Sequence, residues 1–151
     1  MKNAVRFLLF AVAVSACRPA TPPPQIAPQQ TGEEFTLAPG QEAAMQGTDL
    51  IVTLTGVPDD QRCPLKIECA MSGPVTVSIE VRSGSGAPQE FILDSFTDID
   101  GRVPETNFKM TNVRAEFDGF VIQLRSILPF PQYSTSEIDP DDYRVTFLVT
   151  K

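Results

Sequence analysis

The sequence predicts an all-β fold, an antiparallel two-sheet sandwich of six to eight strands with one disulfide-closed loop, and three observations carry that expectation. The stretch Val75 to Arg82 places Val75, Val77, Ile79 and Val81 in strict alternation with Thr76, Ser78, Glu80 and Arg82, the period of a strand with one buried face. Further segments rich in Val, Ile, Thr and Phe follow, punctuated by Pro and Gly, as in antiparallel sandwiches and barrels. Amphipathic patterning of useful helical length is missing.

At the N-terminus, Lys2 and Arg6 precede Phe7 to Val14, an apolar run of eight residues. Such a run is too short to cross a bilayer as a helix and has the length of a signal-peptide core. It leads into Val14-Ser15-Ala16-Cys17, which resembles the lipobox of bacterial lipoproteins. The resemblance implies a signal peptide over 1–16, lipid on Cys17, and a mature chain anchored in the cell envelope by that lipid. Arg18 stands where, in enteric bacteria, an aspartate commonly marks retention in the inner membrane. The resemblance therefore leans towards the outer membrane.

Residues 17–33 read as the lipidated cysteine and a tether. Arg18 to Glu33 holds five prolines, three glutamines and one large aliphatic residue, Ile26, too little to build a core. The run Pro22-Pro23-Pro24 favours polyproline II, in which these sixteen residues would reach about 50 Å.

Residues 34–151 read as one domain with a single core. Phe35 and Leu37 suggest a short strand stopped by Pro39-Gly40, and Glu42 to Gly47 one helical turn. Leu50, Val52 and Leu54 alternate with Ile51, Thr53 and Thr55 in a strand ended by Gly56-Val57-Pro58. After Val75–Arg82, Ser83-Gly84-Ser85-Gly86 turns into a strand with Phe91 and Leu93. Phe108 and Met110, then Val113, Ala115 and Phe117, hint at two strands. Phe120, Ile122 and Leu124 alternate in another, and Tyr143, Val145, Phe147 and Val149 in the last.

Cys63 and Cys69 enclose five residues just before the cleanest strand. A redox pair has two residues between its cysteines, and zinc needs two further ligands in a chain without histidine. A structural disulfide is the expectation, worth roughly 2–3 kcal/mol for so short a loop. Lipid on Cys17 leaves these two of the three cysteines as a pair.

Removing Lys2 and Arg6 leaves 10 basic and 19 acidic residues, a formal charge of −9. That argues against nucleic acid as a partner and against electrostatic docking on anionic lipid. Without histidine the usual general base and the Ser-His or Cys-His arrangements are missing. Lys66 with Ser72 has no motif behind it. The chain therefore reads as no enzyme, with no cofactor.

Asp98-Ile99-Asp100-Gly101 matches the middle of a calcium loop, but Phe96 and Asn107 stand where the first and last carboxylates belong. Asp98 and Asp100 are thus weak metal candidates beside the reading as an Asp-Gly turn. Asp139-Pro140-Asp141-Asp142 also reads as turn chemistry, and Phe130, between two prolines, as an edge aromatic. Leu65, Lys66 and Ile67, held by Pro64 and the disulfide, are the candidate binding loop.

The segment Asp60-Gln61-Arg62-Cys63-Pro64, with Cys69, Gly73 and Val75-Thr76-Val77, also resembles a set of small, uncharacterised bacterial envelope lipoproteins. They usually carry a tryptophan where this chain has Met71. The resemblance implies a β-rich lipoprotein domain and brings no activity. The expected function is a lipid-anchored envelope protein with a non-catalytic binding or assembly-support role. Its partners would be the membrane, through the lipid, and an envelope protein. The alternatives are a small inhibitor or ligand-binding module using the Cys63–Cys69 loop, or a cation-dependent enzyme.

Overall fold

The structure, a computed structural model, describes residues 24–105 and 111–151. The signal peptide, Cys17, the first part of the tether and the strand suggested by Phe108 and Met110 lie outside the described residues. The strands are β1 (Glu34–Leu37), β2 (Glu42–Ala44), β3 (Leu50–Asp60), β4 (Val75–Ser83), β5 (Gln89–Ser95), β6 (Arg114–Phe117), β7 (Phe120–Leu128) and β8 (Arg144–Thr150). They form two four-stranded antiparallel sheets, ordered β2-β3-β4-β5 and β1-β8-β7-β6. The fold is the expected two-sheet sandwich, with the Cys63–Cys69 disulfide closing a loop at one end.

The alternating residues do what their period dictates. Leu50, Val52 and Leu54 of β3 and Val75, Val77, Ile79 and Val81 of β4 are buried against Ile122, Leu124, Val145, Phe147 and Val149 of the other sheet. Phe35 and Phe147 meet at 6.0 Å between ring centroids within that core. Fully burying one such side chain contributes roughly 1.5–3 kcal/mol, so the shared interior is what joins the sheets.

Two local expectations are corrected. Glu42 to Gly47 makes no helical turn; Glu42–Ala44 is a strand, paired through Ala43↔Val52 with β3. Helix-tolerant residues become a strand here because both of its edges find backbone partners. The other partner is the end of the tether. Gln25 and Gln29 bridge in parallel to Glu42 and Met45, and the Ile26 amide donates to the Glu42 carbonyl at 3.1 Å. From Pro24 onward the tether thus covers the β2 edge, and Ile26 packs against the core. Glu42, nearly fully buried, holds this strip: its carboxylate accepts from the Gln25 side chain and pairs with Arg82 at 3.2 Å.

The second correction concerns β3, which does not stop at Gly56-Val57-Pro58 but runs to Asp60 through two register shifts against β4. Pairing with β2 ends at Thr53, so this half of β3 is an edge where proline removes no needed donor.

Candidate binding surface at the clasp pole

The sandwich has two poles. One gathers the end of β3, the start of β4, the end of β5, the end of β7 and the start of β8. Its connections are the loop 61–74 with the disulfide, the loop after β5, and the loop 129–143. This is the clasp pole. The other is closed by short turns, including the β4–β5 turn and Asp118-Gly119 between β6 and β7.

Arg62 organises the clasp pole. Asp60 and Arg62 lie two apart on extended chain, so both side chains point the same way. The Arg62 Nε donates to Asp60 Oδ1 at 2.9 Å and an Nη to Oδ2 at 2.6 Å, a two-pronged ion pair. The guanidinium also donates to the Ile127 and Pro129 carbonyls, each at 2.9 Å, and lies 5.0 Å from the centre of the Phe130 ring. Its side chain is fully buried. Arginine suits this place because its planar fork can satisfy a carboxylate and two carbonyls together.

Asp60 receives a third donor, the Tyr143 hydroxyl at 3.0 Å. Burial, and after it the neighbouring Asp60 charge, pushes the Tyr143 hydroxyl up to about 12, because a phenolate there would be dry and beside a carboxylate. The strand ends of both sheets are thus tied by one satisfied polar cluster.

The clasp loop hangs from it. The Leu65 and Lys66 amides donate to the Pro131 and Gln132 carbonyls at 3.0 and 2.8 Å, and the Cys63 amide donates to the Ser72 hydroxyl at 3.0 Å. Cys63 and Cys69 are bonded with their Cα atoms 6.0 Å apart. Backbone fixed in this way leaves Leu65, Lys66 and Ile67 pointing at solvent. Among the described residues, seven large hydrophobic side chains are exposed. Six of them, Leu65, Ile67, Met71, Ile99, Leu128 and Tyr133, belong to the clasp pole and are between 42% and 83% exposed.

The other candidates take simpler roles. Asp98 closes a turn: its Oδ1 accepts from the Asp100 and Arg102 amides at 3.0 and 2.8 Å. Gly101, at φ +75°, packs so tightly that a Cβ there would stand 2.4 Å from the Ile127 carbonyl oxygen. Among the described residues, no three His, Cys, Asp or Glu side chains are grouped so as to hold a metal ion. Asp139 caps the short 3-10 turn Pro140–Asp142, its Oδ1 accepting from the Asp141 amide at 3.0 Å. Phe130 is half-buried on Arg62. A shallow cavity of about 230 Å³ between Val57, Pro58, Ile138 and Pro140 reaches Tyr143 and Asp60.

Sequence reasoning quoted Asp60 and Arg62 but missed their place in a buried cluster; the two-residue spacing of opposite charges was the available signal. Set against family models, curated proteins and solved structures, the chain matches none.

Proposed function

We propose that this chain is a lipid-anchored protein of the bacterial cell envelope, of the outer membrane, that binds without chemistry of its own and does so through the clasp pole. The lipobox-like Val14-Ser15-Ala16-Cys17 supports the anchor. The observation that carries the binding role is the concentration of exposed apolar side chains on one pole whose backbone is fixed by a disulfide and a buried ion pair. Exposed aliphatics on a fixed loop lose little entropy when covered, which is what a binding surface needs.

The inhibitor reading, with Lys66 as the residue offered to an enzyme, has less behind it. The Leu65 and Lys66 amides are already used by Pro131 and Gln132, so the loop has less backbone to offer an added strand.

Two measurements test the proposal in cells making the full chain. Replacing Cys17→Ser should move the protein from the membrane fraction to the soluble fraction; continued membrane association would overturn the anchor. A photo-crosslinking residue at Ile67 should give adducts that the same residue at Ser85, in the β4–β5 turn, does not. Equal labelling at both positions would overturn the assignment of binding to the clasp pole.

A further inference from the structure

The strip along β2 sets the direction in which the chain enters the domain at Pro24. Residues 25–29 run parallel to β2, and β2 runs antiparallel to β3. Traced backwards from Gln25, the chain therefore heads along the sheet in the direction in which β3 runs from Thr53 to Asp60, towards the clasp. The Pro24 carbonyl accepts from the Glu42 amide at 3.2 Å, which pins Pro24 beside Glu42, itself opposite Thr53. From Thr53 to Asp60 is seven residues of strand, about 23 Å. From Cys17 to Pro24 is also seven residues, at most about 25 Å of extended chain. That length is half of what the whole tether would give, and it matches the distance to the level of Asp60, where the clasp loop begins.

We propose that the clasp pole rests on the bilayer that holds Cys17, with Leu65, Ile67, Met71 and Tyr133 in contact with zwitterionic phospholipid. This rests on the lipid-anchored reading above and names what that surface binds. A lipid at Cys17 must sit in the membrane, so Pro24 lies within seven residues of chain from it, and the pole towards which the strip points carries six of the seven large hydrophobics exposed among the described residues. Aliphatic side chains on a rigid loop beside a tyrosine suit the boundary between headgroups and acyl chains. The charge of the pole decides the lipid. Glu68, Asp98 and Asp100 are exposed among the apolar residues, with Lys66 as the cation of the clasp loop. An anionic surface would repel these carboxylates, whereas a zwitterionic one leaves the apolar contact to act.

The chain contains no tryptophan, so a single introduced one reports alone. The full lipidated chain carrying Met71→Trp would be reconstituted into phosphatidylcholine and phosphatidylethanolamine vesicles whose acyl chains bear bromine near the headgroup end. Ser85→Trp, at the far pole, is the control, and Ile67→Trp a second probe should the first disturb the loop. The expected result is loss of most of the emission for Met71→Trp and Ile67→Trp, with little change for Ser85→Trp. Replacing half of the lipid by phosphatidylglycerol should weaken that quenching while flotation of the protein with the vesicles persists. Flotation with equal emission at the two poles overturns this inference alone and leaves the pole to a protein partner. Stronger quenching on anionic lipid overturns the assignment to zwitterionic lipid. Failure to float overturns the anchored reading, and this inference with it.

Discussion

The two poles of the sandwich solve the same problem in different ways. At the far pole, β6 and β7 are joined by Asp118 (φ 49°) and Gly119 (φ 76°), two residues in the left-handed region that form the tightest hairpin turn. At the clasp pole the loops are long: the disulfide closes one of them on itself, and Arg62, paired with Asp60, together with the amides of 65–66 donating to carbonyls of 131–132, ties it to the other. The far pole is stable by being short. The clasp pole is stable by being cross-braced, and this frees its outer side chains from any packing duty.

Breaking the brace is the most direct attack on that contrast. Arg62→Ala strands the Asp60 carboxylate with the Tyr143 hydroxyl and one backbone amide. Losing one partner of a buried pair costs ~3–5 kcal/mol, which urea denaturation would read as a large drop in midpoint. A loss below ~1 kcal/mol would mean that the pole does not depend on this pair. Cys63→Ser with Cys69→Ser should cost ~2–3 kcal/mol, since only a short loop is opened.

Tyr143 adds a pH dependence specific to the clasp pole. Its folded value, about 12, lies above the ordinary 10.0, so the unfolded chain loses this proton first as pH rises. The linked contribution is intact below pH ~10 and is lost progressively between pH ~10 and ~12. Tyr143→Phe should remove that alkaline loss; an unchanged pH profile would assign it to other groups.

The finest comparison uses two glycines with nearly the same backbone. Gly101 (φ +75°) and Gly119 (φ +76°) differ in surroundings: a Cβ at Gly119 meets nothing within 4 Å, whereas at Gly101 it strikes the Ile127 carbonyl. Gly119→Ala should cost ~1–2 kcal/mol for the backbone alone. Gly101→Ala should cost a further ~1–3 kcal/mol for overpacking, and equal thermal shifts would show that the clasp pole yields as easily as the free turn.

This contrast also explains what was legible. Strands such as Val75–Ser83 and the glycine turns are local, and alternation or a positive-φ residue betrays them. The cysteine pair was legible because it is short-range and had no rival ligands. The Arg62 cluster was not, because its partners Ile127, Pro129 and Tyr143 lie more than sixty residues from Asp60 and Arg62. The Asp60–Arg62 spacing signals only that the two can pair, and the burial comes from those distant partners. Glu42–Ala44 was misread for the same reason. Ala43, Ala44 and Met45 tolerate a helix, and a strand arises there from backbone partners on both sides. The docking of Pro24–Gln29 rests on backbone bonds aided by the Gln25 side chain and Ile26, a pattern that proline and glutamine concealed.

The parallel strip along β2 has a mechanical consequence. A pull on the N-terminal chain towards the clasp pole acts along the strands and not across them. The bonds from the Glu42 amide to Pro24, Ile26 to Glu42, Gln29 to Ala44, and Gln46 to Gln29 then share the load together. Load applied from the N-terminal side therefore grips the strip in shear, where the bonds must fail as a group and are not peeled open one at a time.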